Sequence, residues 1–294
     1  VKPFALLAAV AALVACGGSK KERGPKPVEV PARRATAGDP ILGHAPSGAD
    51  AVFEIDLARL RKNKVVGPLV AAVTAAGEVG GDLVAIGDVV VIASYRIGQS
   101  DAGQLVFVAG SRVGELRGAH RIDDALVVFG PPGLVREVDA VGAGHGASLL
   151  ADRALLRARS LAMPAAAEGA SLRIAADLPF DARLALAKRL EVEIVPEWLS
   201  VWFDVADDMA GVALLGGGAD ADPQDLAKAV ARLRDRLVAA DSVKRVGLDG
   251  LIENVAVQIA GPDARVVLVV GPRRLANLVA GVMDRMEKAR GVPP

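Results

Sequence analysis

The side chains able to do chemistry in this chain are sparse, and each arrangement they form has a plainer explanation. Glu54 and Asp56 stand two apart, as do Glu191 and Glu193. Paired carboxylates can serve a glycosidase as acid and base, but two in one strand usually mark a solvated edge, and sugar-stacking aromatics are scarce here. Asp220, Asp222 and Asp225 outline an acidic loop. The Asp-x-Asp-x-Asp/Asn-Gly run and closing Glu of a calcium loop are absent, so helix capping accounts for Asp222 and Asp225. His44, His120 and His145 lie far apart with no second His or Cys at ligand spacing, so no metal site is expected. Gly142-Ala143-Gly144-His145-Gly146-Ala147 has the GxGxxA form but follows a helical pattern, whereas a dinucleotide loop must follow a strand. Gly216-Gly217-Gly218 does follow a strand, yet no Lys-Ser or Lys-Thr pair succeeds it, and Asp220 and Asp222 would repel phosphate. Ser148, Ser171 and Ser200 sit in neither a GxSxG elbow nor an SxxK motif. No catalytic residue, metal or cofactor is expected from these patterns.

Cys16 is different. It is the only cysteine, which excludes an internal disulfide. Before it run Val1-Lys2-Pro3 and an unbroken apolar stretch from Phe4 to Ala15, twelve residues long. That is the layout of an export signal, and it falls short of the about twenty residues a membrane span needs. Leu13-Val14-Ala15-Cys16 resembles the lipobox of bacterial lipoproteins. The resemblance implies cleavage before Cys16, a diacylglycerol on its sulfur, and a body held on a membrane outside the cytoplasm. Gly17 follows the cysteine where Asp would favour inner-membrane retention, so the resemblance implies the periplasmic side of the outer membrane if the host is Gram-negative.

The remaining candidate is a surface. Both tryptophans fall in Glu197–Val205. At a strand period of two, Leu199, Val201, Phe203 and Val205 share one face, and Trp198, Ser200, Trp202 and Asp204 the other. Covering helices would bury the tryptophan face. Left open, Trp198 and Trp202 would form an interaction surface for an envelope protein or a hydrophobic ligand.

The elements that must position these residues are strands running into turns and helices. Ala51–Leu57 alternates as a strand and leads into a helical pattern. The same theme recurs from Ala125–Phe129 into Leu134–Val141, from Ser171–Ala175 into Asp181–Leu190, from Gly211–Leu215 into Pro223–Ala239, and from Arg265–Val270 into Arg273–Arg290. Hairpin-like pairs lie between: Leu83–Ala93 with Gln104–Ala109, Glu197–Ala206 with Gly211–Leu215, and Leu251–Ala260 with Arg265–Val270. Short turns favour antiparallel pairing. The expected class is α+β, with antiparallel sheets covered by helices, arranged either as two related halves or as one continuous sheet with no duplication. Residues 1–15 read as the signal, 16–40 as the lipidated cysteine with a Pro-, Gly- and charge-rich tether, 41–147 as the first half and 148–294 as the second, with the alternative that both pack as one domain. This arrangement, with Ser148-Leu149-Leu150-Ala151-Asp152 before a helix, resembles a broad group of bacterial envelope lipoproteins and carries no active-site motif.

Composition narrows the function classes. Hydrophobic residues make up 52% of the chain but aromatics only 3%, which suits an aliphatic core and not stacking platforms for sugars or bases. Lys20, Lys21, Arg23, Lys26, Arg33 and Arg34 outnumber Glu22, Glu29 and Asp39 in the tether, while the body is slightly acidic. A basic tether suits anionic headgroups, and an acidic body lacks the footprint of a nucleic-acid binder. The expected role is a membrane-anchored, non-enzymatic binding or scaffolding protein. The alternatives are a carrier or chaperone for a hydrophobic ligand, which needs a Val- and Leu-lined cavity, and an envelope hydrolase, which needs a polar cleft with converging carboxylates or His.

Overall fold

The computed structural model describes residues 36–75, 81–165, 167–206, 208–217, 222–246 and 248–289. The signal, Cys16 and the tether as far as residue 35 lie outside them. The fold is α+β, built on a ten-stranded antiparallel sheet.

The first half contributes β1 (Ala51–Asp56), β2 (Val89–Tyr95), β3 (Gly103–Ala109), β4 (His120–Arg121) and β5 (Leu126–Phe129). Its helices are α1 (Asp39–Leu42), α2 (Leu57–Lys62), α3 (Gly67–Ala75), α4 (Gly81–Ile86) and α5 (Pro132–Gly142). After α6 (Arg153–Leu161) the second half runs β6 (Leu172–Asp177), α7 (Phe180–Leu190), β7 (Trp198–Val205), β8 (Met209–Gly216), α8 (Pro223–Ala239), α9 (Asp241–Val246), α10 (Asp249–Ile252), β9 (Ala256–Ala260), β10 (Asp263–Val270) and α11 (Pro272–Ala289).

The strand order is β4-β5-β3-β2-β1-β6-β7-β8-β10-β9. Counted outward from the centre, each half places its first, second, third, fifth and fourth strands in turn. The two halves therefore share one topology and meet where β1 and β6 pair, Ala51 opposite Ala176 and Ile55 opposite Leu172. The ten strands form one continuous sheet, with the same strand order in each half.

Register sorts the side chains onto two faces. On one, Ile55, Ile92, Ile174, Phe203 and Val266 are buried with Leu226 of α8 and Leu275 of α11. On the other, Val52, Val91, Phe107 and Val128 are buried with Ile41 and Leu42 of α1, Leu134 and Val138 of α5 and Leu155 of α6. A sheet apolar on both sides must be covered on both sides, which is why strands such as β2 (Val-Val-Val-Ile-Ala-Ser-Tyr) read as continuous apolar runs without alternation.

Three expectations need correction. Leu83–Ala93 is not one strand: Gly81–Ile86 is helical and the strand starts at Val89. Leu251–Ala260 likewise opens with the end of α10 before β9 begins at Ala256. Short apolar runs suit a buried helix turn as well as a buried strand, and periodicity alone does not separate them. The tether also ends earlier than residue 40. Thr36 and Asp39 bond to the body, and Pro40 supplies the early proline of α1.

Candidate functional site

Where the two halves meet, the second face carries charge in place of hydrocarbon. Glu54 of β1 and Arg173 of β6 are opposite each other in the register, and both are buried. Arg159 comes down from α6, one turn after Leu155, and is also buried. It is delivered by Asp152, whose side chain caps α6 by accepting from Leu155 N at 3.0 Å. The Arg159 guanidinium donates through Nε and Nη2 to both oxygens of Glu54, the second at 2.6 Å. It also donates to Asp39 Oδ1 and Thr36 Oγ1. The Arg159 carbonyl in turn accepts from Arg173 Nη2. Burial works against the charge on Arg159, but Glu54 and Asp39 outweigh it and hold its pKa above the ordinary arginine value. Gly38 permits this approach: a Cβ there would stand 2.2 Å from Glu54 Oε2.

A second ion pair ties the halves together nearby. Arg59 of α2 grips Asp204 of β7 in a fork, Nε to Oδ1 at 2.7 Å and Nη2 to Oδ2 at 2.6 Å. That hydrogen bond is the main cause of a raised Arg59 pKa. Ser171 Oγ donates to the same carboxylate at 2.8 Å. Asp56 caps α2 by accepting from Arg59 N at 2.7 Å. Between the two ion pairs lies a cavity of about 150 Å³ lined by Glu54, Asp56, Arg59, Met163, Glu168 and Arg173.

The residues nominated from sequence fall into place around this centre. Glu54 and Asp56 are not a solvated edge: Glu54 is consumed by Arg159 and Asp56 by a helix cap. Glu191 and Glu193 are not in a strand. They follow α7, where Glu191 ends the helix in a left-handed conformation, and both are exposed. Asp222 caps α8 through Gln224 N at 2.8 Å and Asp225 pairs with Lys228, while Asp220 lies outside the described residues. Gly142 ends α5, so the GxGxxA run follows a helix. His120 pairs with Asp139 at 2.8 Å at the surface. Among the described residues no group of three His, Cys, Asp or Glu side chains is arranged to hold a metal.

The tryptophan face is covered at Ser200 and Trp202. Trp202 is only 8% exposed, and its Nε1 donates to Gly169 O at 2.8 Å. Ser200 between the tryptophans is fully buried and accepts from Ala162 N at the end of α6. Trp202 therefore offers no surface. Trp198 is half-buried and packs over Gly216, where a Cβ would lie 2.0 Å from its Nε1. Large apolar side chains reach solvent elsewhere. Phe180 and Leu184 stand one turn apart on α7 with Arg183 5.9 Å from the Phe180 ring, and Ile259 and Val269 lie on β9 and β10.

Beyond the cluster, Asp177 at the end of β6 lines a 340 Å³ cleft with Asp50, Asp152 and Glu197. Burial, then repulsion from those three carboxylates, raises its pKa above the ordinary carboxylate value.

Arg159 is the residue that sequence reasoning missed. The signal was present: Leu155, Ala158, Arg159 and Ala162 follow the core-facing period of α6, and a charge at such a position demands a buried partner.

No protein-family model matches the chain, and no curated protein matches it. Among solved structures, the chain described as the structure of crystal form I of TP0453 aligns with a TM-score of 0.44 at 12% identity, covering 82% of this chain and 96% of that one. A similarity of that size carries no argument about function.

Proposed function

We propose that the protein is a lipoprotein held in the cell envelope through Cys16, with a non-enzymatic binding or scaffolding role for the body. The anchoring half of the reading rests on the Leu13-Val14-Ala15-Cys16 lipobox. The scaffolding half rests on one observation: the buried charges at the centre of the sheet bind one another. Arg159 holds Glu54 and Asp39, and Arg59 holds Asp204 in a bidentate fork. Such groups fix the relative position of β1, α6, α1 and β7; a carboxylate bridged to an arginine is a poor proton carrier.

The carrier alternative draws less support. A 390 Å³ cleft beside α7 and α8 has Val192 and Ala229 in its lining, but Glu191, Glu193, Arg232, Asp235 and Arg236 make the rest of it charged. A hydrolase would draw on the 150 Å³ cavity, where Glu54 is engaged by Arg159, or on the 340 Å³ cleft of Asp50, Asp152, Asp177 and Glu197, where Asp50 accepts from Ile97 N and Asp152 caps α6.

Metabolic labelling with a radioactive fatty acid tests the reading. The wild-type chain should carry label and fractionate with membranes, whereas Cys16→Ser should lose both. Label persisting on the Ser variant would overturn the anchoring site.

A further inference from the structure

The two edges of the sheet are built differently. β4 is two residues long and presents exposed His120 and Arg121, a short and charged edge that discourages pairing. β9 is Ala256-Val257-Gln258-Ile259-Ala260, with no charge and no proline. Among the described strands it pairs only with β10, and Ile259 is 53% exposed. Helix α8 packs against one face of β9, and no described strand pairs with its backbone edge away from β10.

Hairpin register fixes which groups point outward. Ala260 and Asp263 flank the two-residue turn Gly261-Pro262, and Gln258 stands opposite Arg265. In an antiparallel ladder alternate residues exchange both backbone bonds with the partner, so Ala256, Gln258 and Ala260 bond inward. The N–H and C=O of Val257 and Ile259 then face away from β10.

The sequence of β9 is close to its own mirror order. Turned about a twofold axis through Gln258, Val257 falls opposite Ile259 of the second copy and Ala256 opposite Ala260. Val257 and Ile259 are the residues with outward backbone groups, so the antiparallel match that pairs the side chains also makes four N–H···O=C bonds. β-branched side chains opposite one another suit such a ladder, and no like charges meet across it.

We propose that β9 is a self-association edge, and that its partner is the β9 strand of a second copy of this chain. The proposal deepens the scaffolding reading by naming a partner, and it rests on that reading for its setting. A five-residue strand pair buries less than the about 1,200 Å² of a stable interface, so the contact is weak and reversible in solution. Lipid anchoring would concentrate copies on one surface and populate it. A second copy is favoured over an unrelated strand because the register and side-chain match are both present in β9 itself.

The test uses the full mature chain with Cys16→Ser, so that its result is independent of lipidation. Sedimentation over a concentration series should show the mass rising toward twice the monomer value. Ile259→Pro removes an outward N–H without touching the β10 ladder and should abolish the rise. Ile259→Lys is the second variant should the proline change impair folding, and it should weaken association at least about tenfold. Gln258→Cys should cross-link between copies, because facing residues at the axis lie about 4.5 Å apart at Cα. Val269→Cys, exposed on the neighbouring strand, should cross-link far more slowly. A monomer at every concentration overturns the proposal. So does a dimer indifferent to both Ile259 variants, or equal cross-linking at 258 and 269. Loss of fatty-acid label at Cys16 would bear only on the anchoring site.

Discussion

Arg159 shows how a charged residue can act as core. It is 4% exposed, bonds both oxygens of Glu54, and reaches Asp39 and Thr36. Three ionised groups removed from water cost several kcal/mol each before pairing, so the network is not evidence of extra stability. Its effect is geometric, since Glu54, Asp39 and Arg159 come from β1, α1 and α6. Removing one member leaves the others buried and uncompensated. Arg159→Met should therefore destabilise the chain by about 3–5 kcal/mol in urea melts. Adding Glu54→Leu to it should recover part of that loss, because one of the orphaned carboxylates is then gone. A double variant that costs the full sum of the two singles would show that Glu54 is satisfied by groups other than Arg159. Asp177 behaves oppositely. Its pKa is raised in the fold, so its contribution is most favourable below the ordinary carboxylate pKa and declines as pH rises through the folded value.

At the scale of elements, α1 is short but does more than end a tether. Ile41 and Leu42 are buried beneath the second face of the sheet, and Asp39 and Thr36 close the Arg159 network. A chain beginning at Ile41 should thus be less stable than one beginning at Thr36, by the about 1–3 kcal/mol that orphaned buried partners cost. Equal melting curves for the two would return residues 36–40 to the tether. The long elements were legible in sequence because their signals were redundant. Asp222 and Pro223 mark the start of α8, and Leu226, Val230 and Leu233 its face, so Pro223–Ala239 emerges as expected. Helix α4 and the helical turn of α10 were not legible, because four to six apolar residues fit a buried strand as well as a helix. The burial of Trp202 could not be read either. Alternation puts it on a face, but only the path of α6 and Gly169 decides whether that face is covered. The central ion cluster joins residues from 36 to 204, and that proximity follows from the β1–β6 pairing, which no local pattern states.

At the scale of the whole molecule, two halves of one topology are fused through their central strands. Ile55 and Ile92 share a buried cluster with Leu172, Phe203 and Val266, so the core crosses the boundary between them. Helix α3 touches α11, Arg59 holds Asp204, and Asn63 Nδ2 donates to Val205 O at 3.1 Å. Neither half owns a complete core. Residues 36–144 alone would expose the edge of β1 and its apolar faces, and residues 145–294 alone those of β6, which are sites for misassociation. Each fragment should be aggregated or partly unfolded by itself, and mixing them in equal amounts should restore the near-ultraviolet circular dichroism of the intact chain. The intact chain should also unfold as one unit. Trp198 and Trp202 are its only tryptophans and both lie in the second half, so fluorescence reports that half while far-ultraviolet dichroism reports the whole. Coincident urea transitions from the two probes are expected. A fluorescence transition separated from the dichroism transition, or a first-half fragment that folds cooperatively alone, would mean that the β1–β6 seam joins two domains instead of running through one.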